Sequence, residues 1–214
     1  MMKYLFFFMT LFFSSLFASL HSQNIHFEGI IKYIPLTPND IPGDTLIVYF
    51  GKQKIRTNRI GTLAERFGGI TDEIIDFARA PNETTVYFGK EKASQIIKSV
   101  KSGIDSVVTF SDSSRVILGY HCIKSIIYFA PSTHFGTHQM IDTVWSATEL
   151  MYLAPATAVS SLWHPDYSTG GIPLLRTRTV YSKMTDGSQK ITTNTTIACE
   201  VQPLALTDDV FSVR

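Results

Sequence analysis

The sequence is poor in charged residues. Only 17% of its 214 residues are charged, and the formal net charge is +1. Globular domains usually carry about 25% charged residues, and nucleic-acid-binding proteins concentrate lysine and arginine to neutralise phosphates. The composition therefore argues against a nucleic-acid partner.

Catalytic and metal-binding signatures are also lacking. No Gly-x-Ser-x-Gly nucleophile motif occurs, and the neighbours His121 and Cys122 would point to opposite faces of a strand. His134 and His138 have the spacing of two ligands on a helix, but Pro131 predicts a loop there. We therefore predict no catalytic residue, no metal site and no cofactor, and we expect a protein that is not an enzyme.

Cysteine is scarce, because Cys122 and Cys199 are the two in the chain. An oxidising compartment would allow them to form a disulfide, which across so long a loop would stabilise the fold by up to about 4 kcal/mol. Two buried free thiols are an equal alternative, since free cysteine is among the most buried residue types. The sequence leaves both alternatives open.

The long apolar run of the chain lies at its N-terminus. Residues 5–20 are almost all apolar or small, Lys3 precedes them, and His21, Ser22 and Gln23 follow. This layout is typical of a secretory signal peptide, and the run is shorter than the ~20 residues of a membrane-spanning helix. We expect residues 1–22 to be a signal peptide and 23–214 a single periplasmic or secreted domain without a stable transmembrane anchor.

Aromatic and β-branched runs that end at glycine dominate the remainder. VYFGKQK at 48–54 and VYFGKEK at 86–92 are nearly identical, but their flanking residues differ. A repeat protein would conserve whole units, so we interpret the pair as two strand ends in one antiparallel meander.

The other elements follow from hydrophobic pattern and turn residues. A Pro-rich loop is predicted at 35–44, and a strand with apolar residues on both faces, hence covered on both sides, at 116–129. Odd-numbered residues from Ile191 to Val201 are predicted to share one face of the last strand. Further strands are predicted at 26–34, 73–78, 104–110, 140–147 and 174–184, with a hairpin at Asp186-Gly187 and short helices at 93–100 and 155–163.

Several stretches, in this order, resemble the DUF4412 family of exported bacterial proteins. They are Lys54-Ile55-Arg56, VILGYHC at 116–122, TVWSATEL at 143–150, GGIPL at 170–174 and LTDDVF at 206–211. The resemblance spans roughly residues 28–212 and implies a fold like that of the periplasmic lipoprotein carriers LolA and LolB. Such a fold is mainly β (α+β), a curved antiparallel half-barrel sheet with two or more short helices across its concave face.

This resemblance implies a noncatalytic protein that binds a lipid, a lipoprotein acyl chain or another apolar ligand in the hollow of the half-barrel. Tyr120, Trp145, Tyr152 and Trp163 are the candidate ligand contacts, although core and lid packing would also explain these aromatic residues. The main alternative is an envelope protein–protein interaction module without a small ligand. An uncharacterised secreted hydrolase is a third hypothesis.

Overall fold

The protein forms one antiparallel sheet of eleven strands in the computed structural model, which describes residues 27–36, 45–61, 68–79, 83–89, 93–98, 103–131, 137–152, 171–184 and 186–213. In chain order the strands are β1 (Gly29–Leu36), β2 (Thr45–Phe50), β3 (Lys54–Ile60), β4 (Ile70–Asp76), β5 (Glu83–Phe88), β6 (Ala93–Lys98), β7 (Ile104–Ile117), β8 (Tyr120–Phe129), β9 (Thr137–Ala147), β10 (Ile172–Lys183) and β11 (Gln189–Pro203). The mainly β fold class is therefore confirmed.

The strands lie in the order β6-β5-β4-β3-β2-β1-β11-β10-β9-β8-β7. Strands that are consecutive in sequence pair with each other, except β6 and β7, and β1 also pairs with β11. The order is that of a ring with one interruption, because β6 and β7 are consecutive in sequence but lie at opposite edges of the sheet.

The connection between the two edges requires the sheet to curl. Residues 99–103 join Lys98 of β6 to Ile104 of β7, and a link of this length spans at most about 20 Å. In a flat sheet of eleven strands the outer strands would be about 48 Å apart. The edges must therefore approach one another where the connection crosses.

Buried side chains lie on one face of the central strands, which we call the core face. Ile31 of β1 lies opposite Val48 of β2, and Phe50 of β2 lies opposite Ile55 of β3. All four side chains are essentially inaccessible to solvent. Alternation along a strand separates them from their half-exposed neighbours, so this part of the sheet has an apolar face and a wetter one.

The predicted strand at 116–129 is wrong, because a hairpin turn interrupts it at Leu118-Gly119. Both turn residues have positive φ, 51° and 85°, as two-residue hairpin turns require. The preceding strand β7 instead continues through the polar residues 111–114, where a bulge separates Phe110 from Ser114. The side chain of Val116 is 69% exposed, so the prediction that other parts of the protein cover both faces of this segment is also wrong at Val116.

The predicted single face of the last strand is wrong beyond residue 197. Tyr33 of β1 pairs with Ala198, whereas Lys32 pairs with Glu200, so Cys199 is an extra residue in β11. A bulge of this kind reverses the alternation. Ala198 consequently faces the core together with Val201, which lies opposite Ile31.

The predicted helix at 93–100 is also wrong, because residues 93–98 form the edge strand β6. A helix of eight residues is marginal on its own, and pairing with β5 satisfies the backbone instead. The helix predicted at 155–163 lies outside the described residues. Within the described part of the chain the helical structure is one 3-10 turn, Asp208–Phe211, so the expected two or more covering helices are not seen there.

The predicted loop at 35–44 begins too early. Pro35 and Leu36 belong to β1, where they pair with β11 and not with β2. Proline is tolerated there because that part of β1 pairs on one side only, so its backbone nitrogen can point to the unpaired side, where no N–H donor is needed. Residues 37–44 and the predicted signal peptide, 1–22, lie outside the described residues, and no helix of the described residues has the length and apolarity of a membrane span.

Candidate functional site

An aromatic cluster, consisting of Phe27, Phe50, Phe77 and Tyr152, lies on the core face. Tyr152 follows β9, and its ring meets Phe50 edge-on with centroids 5.2 Å apart, while Phe27 meets the same Phe50 at 5.5 Å. The Tyr152 hydroxyl donates a hydrogen bond of 2.9 Å to the carbonyl oxygen of Gly51. Burial, with a smaller effect of the Glu28 charge, raises the pKa of Tyr152, so the hydroxyl stays a neutral donor.

The other candidate ligand contacts occupy less buried positions. Trp145 in β9 and Tyr120 at the start of β8 are half-buried, and both pack against the core. The Arg115 guanidinium lies 5.0 Å from the Trp145 ring centroid, which is the geometry of a cation–π contact. Trp163 lies outside the described residues. Each of the three described aromatic candidates thus contacts core residues, and Tyr152 lies most directly over the floor of the core face.

Both cysteines are free thiols. Cys122 is buried in β8 and donates to the Tyr120 carbonyl at 3.6 Å, whereas Cys199 is exposed in β11. Two strands separate β8 from β11, which places the cysteines about 14 Å apart, beyond the ~7 Å that a disulfide spans. The structure thus has free thiols in place of the disulfide alternative. Burial, with a smaller effect of the Glu149 charge, raises the pKa of Cys122 to about 11.

A cluster of buried charges, which we call the Asp142 cluster, lies on β9 and β10. The fully buried carboxylate of Asp142 forms salt bridges with Arg176 and Arg178. Arg178 donates from Nε to Oδ1 at 2.8 Å and from Nη2 to Oδ2 at 2.9 Å, a bidentate geometry that strengthens the pair. The Arg178 guanidinium also lies 5.4 Å from the Phe129 ring centroid.

The Asp142 cluster lies on the same face as the central core residues. Register places Val144 of β9 opposite Arg176 of β10, which in turn lies opposite Thr196 of β11. Thr196 is two residues from Ala198, which faces the core, and Val144 is fully buried. The core face is therefore apolar at its centre and charged on β9 and β10.

A second cluster of buried charge holds the C-terminal segment. Arg56 donates to the fully buried Asp72 from Nη2 at 2.7 Å, and its Nη1 donates to the Val210 carbonyl at 2.7 Å. Lys54 on the same strand contacts Asp208 at 3.0 Å. The Lys-x-Arg and C-terminal motifs of the sequence thus contact each other, which gives both a structural role.

The described histidines, His121 and His138, do not converge with other ligand-type side chains. His138 Nδ1 lies 2.9 Å from Ser182 Oγ on the neighbouring strand, and His134 lies outside the described residues. His121 is exposed while Cys122 is buried, as alternation along β8 predicts. Among the described residues no three His, Cys, Asp or Glu side chains form a metal-binding group.

Sequence reasoning missed both charge clusters. Asp142 lies 34 residues from Arg176 in the chain, so their contact depends on strand register, which the sequence does not reveal. One local signal exists, because Arg176 and Arg178 alternate along a strand and therefore share a face. The matching signal is that Asp142 is the one carboxylate in β9.

Comparison with known proteins informs the fold alone. No family model matches the sequence, and no curated protein is significantly similar. A solved structure of PNGF-II matches with a TM-score of 0.51 and 16% identity, over 85% of this chain and 29% of that chain. This protein thus spans less than a third of PNGF-II. A DUF1329 family protein from Desulfovibrio piger matches with a TM-score of 0.40 and 10% identity, over 88% of this chain and 91% of that chain, a likeness too weak to support an argument.

Proposed function

We propose that this protein is a noncatalytic protein of the cell envelope, periplasmic or secreted, that holds a lipid, a lipoprotein acyl chain or a similar apolar molecule against the core face. The observation that carries the proposal is the apolar floor formed by Ile31, Val48 and Ile55 on adjacent strands. The described residues contain one sheet, so no second sheet among them covers this floor. Large apolar clefts are the usual sites of small apolar ligands.

A half-barrel shape is supported by the stagger of the strands. The registers place Ile97 of β6 level with Gly29 of β1, and Phe110 of β7 level with Ile34 of β1. Traced strand by strand through these registers, the start of β7 is offset from the end of β6 by about ten residues, roughly 33 Å of strand length. Because residues 99–103 join these two points directly, the strands must tilt so that the curl of the sheet brings the two ends together. Over eleven strands this displacement corresponds to a tilt of about 35°, which is the tilt of strands in barrels.

Binding would require the aromatic cluster to move. The side chains of Phe27 and Tyr152 pack on Phe50, so an apolar chain that reaches the floor must displace them. Each methylene transferred from water gains about 0.8 kcal/mol. Ten methylenes would gain about 8 kcal/mol, enough to offset the rearrangement of two side chains and part of the association entropy.

A fluorescent apolar probe tests the proposal. We expect saturable binding of N-phenyl-1-naphthylamine to the purified protein and its displacement by palmitate. Tyr152→Ala should strengthen probe binding because it removes part of the cover, whereas Ile191→Ala, at an exposed position of β11, should leave it unchanged. Fluorescence that does not saturate, or that palmitate does not displace, would contradict the proposal.

An envelope protein–protein interaction module is the second candidate function. It is favoured by the open interruption between β6 and β7, where two strand edges have no strand partner among the described residues.

A further inference from the structure

The core face carries more positive than negative charge. Among the described strands, the charged side chains on this face that are buried or half-buried are Arg59 of β3, Glu73 of β4, Asp142 of β9, and Arg176 and Arg178 of β10. Three arginines against two carboxylates leave a formal excess of one positive charge. Because a desolvated charge is costly unless an opposite charge balances it, this face favours an anion over a neutral group.

Strand register places Arg59 and Glu73 on the core face with the Asp142 cluster. Arg59 lies opposite Leu46, which in turn lies opposite the buried Tyr33. Glu73 lies opposite Thr57, which is two residues from Arg59 on β3 and therefore shares its face. The positive excess thus belongs to the face that carries the apolar floor.

The core face changes from apolar to cationic along the strands. On β3, Arg59 lies four residues beyond Ile55 of the floor, which is about 13 Å. Through the register of β11, Arg176 is level with Pro35 of β1, which lies four residues beyond Ile31 of the floor. The antiparallel registers make these two displacements run in the same direction. A ligand that lies along the strands therefore has apolar contacts at one end and guanidinium groups at the other.

We propose that the ligand held against the core face is a single-chain anionic amphiphile. Its chain lies along the strands on the apolar floor, and its carboxylate or phosphate head group contacts Arg176 and Arg178. The planar guanidinium group of arginine suits this contact, because it binds carboxylates and phosphates in a bidentate manner. The inference rests on the proposed function and adds the charge of the ligand to it.

The two arginines are held in place for such a contact. Asp142 accepts hydrogen bonds of 2.8 and 2.9 Å from Arg178 and one of 2.8 Å from Nε of Arg176, and the Phe129 ring lies against the Arg178 guanidinium. Side chains that are already ordered lose little conformational entropy on binding. They also stay 14% and 15% exposed, so a head group can reach them.

Ligands that share one chain but differ in head group test the charge. Dodecanoate, dodecyl phosphate and dodecanol are each added, below their micelle concentrations, to the protein loaded with N-phenyl-1-naphthylamine, at about pH 8, where the carboxylate is ionised. At least one of the two anions should displace half of the probe at a concentration about tenfold lower than dodecanol does, as expected for a charge-assisted contact. Comparison of the two anions identifies the head group.

Substitutions locate the head group. Arg178→Gln should weaken displacement by the preferred anion about tenfold and leave displacement by dodecanol unchanged, whereas Arg178→Lys, which keeps the charge, should retain most of the preference. Arg176→Gln is the second variant, and circular dichroism shows whether each variant is folded. Lys32→Gln is the matched control, because it removes one positive charge from the opposite face of β1, where Lys32 pairs with Glu200. It should leave both displacements unchanged.

Different results would overturn this inference and the proposed function. Equal displacement by dodecanol and both anions would overturn the anionic head group and leave an apolar ligand in place. A probe that does not bind saturably would overturn both. A preference for the anions that survives Arg178→Gln and Arg176→Gln, or that Lys32→Gln removes to the same extent, would also overturn the inference, because charge elsewhere on the protein would then attract the ligand.

Discussion

Replacement of Asp142 by asparagine tests the Asp142 cluster. The carboxylate is fully buried and accepts hydrogen bonds from both Arg176 and Arg178. Asp142→Asn keeps the volume of the side chain but removes the charge that the two guanidinium groups share. Each arginine then remains in a largely desolvated position with its anionic partner gone.

The expected cost is about 3 kcal/mol of unfolding free energy. Removal of one partner of a buried ion pair typically costs about 3–5 kcal/mol, and the side chains of Arg176 and Arg178 are 14% and 15% exposed, so water compensates part of the loss. With a urea m-value of about 2 kcal/mol/M, the midpoint should fall by about 1.5 M. Urea unfolding followed by tryptophan fluorescence measures this shift.

Asp208→Asn is the matched control, because Asp208 also contacts a cation, Lys54, but its side chain is 90% exposed. Exposed ion pairs contribute about 0–1 kcal/mol, so its midpoint should change little. Arg178→Met should cost less in the Asp142→Asn background than in the wild type, since the two residues interact. Equal midpoints for Asp142→Asn and Asp208→Asn would refute the burial and pairing of Asp142.

Three further predictions concern other contacts. Gly51→Ala should lower the unfolding free energy by about 1–3 kcal/mol, because a Cβ there would lie 2.5 Å from Phe211 Cζ. In urea unfolding, Gly51→Ala should cost less in a Phe211→Ala background, which removes that clash. A double variant whose loss equals the sum of the two single losses would contradict the prediction. Tyr152→Phe should lower the unfolding free energy by about 1 kcal/mol through loss of the hydrogen bond to Gly51, and an unchanged midpoint would count against this bond. Ellman's reagent should modify Cys199 at once and Cys122 only after unfolding. Because folding raises the pKa of Cys122 from 9.0 to about 11, the unfolding free energy of the wild type, relative to that of Cys122→Ala, should be constant below pH 9 and fall between pH 9 and 11. Parallel pH profiles of the two proteins would contradict this prediction.

The strand ends at the two VYFGK segments were predictable because their signal is local. Each aromatic run ends at a glycine, after Phe50 and after Phe88, and Gly89 has a φ of 56° that favours glycine. The hairpin at Asp186-Gly187 was predictable for the same reason, and Gly187 has a φ of 84°.

The turn at Leu118-Gly119 was missed because leucine rarely adopts a positive φ. The helical prediction at 93–100 failed because an edge strand depends on a partner, β5, whose contribution the local sequence does not contain. The reversal of faces at Cys199 arises from a bulge, and the strict alternation of residue types along this strand conceals it.

The candidate site was predictable only in part. Tyr152 was predicted as a candidate ligand contact with core packing as the alternative, and the structure shows its ring packed on Phe50. The apolar floor and the Asp142 cluster depend on register among strands distant in sequence. The number of strands was not predictable either, because the sequence analysis missed the turn at 118–119 and the strand β6.

Native mass spectrometry of the protein, purified without detergent from an envelope extract, tests most directly whether the core face holds an apolar ligand. We expect a population heavier than the polypeptide by the mass of one lipid or acyl chain, which organic extraction removes. A single species at the polypeptide mass, together with no uptake of added palmitate, would contradict it.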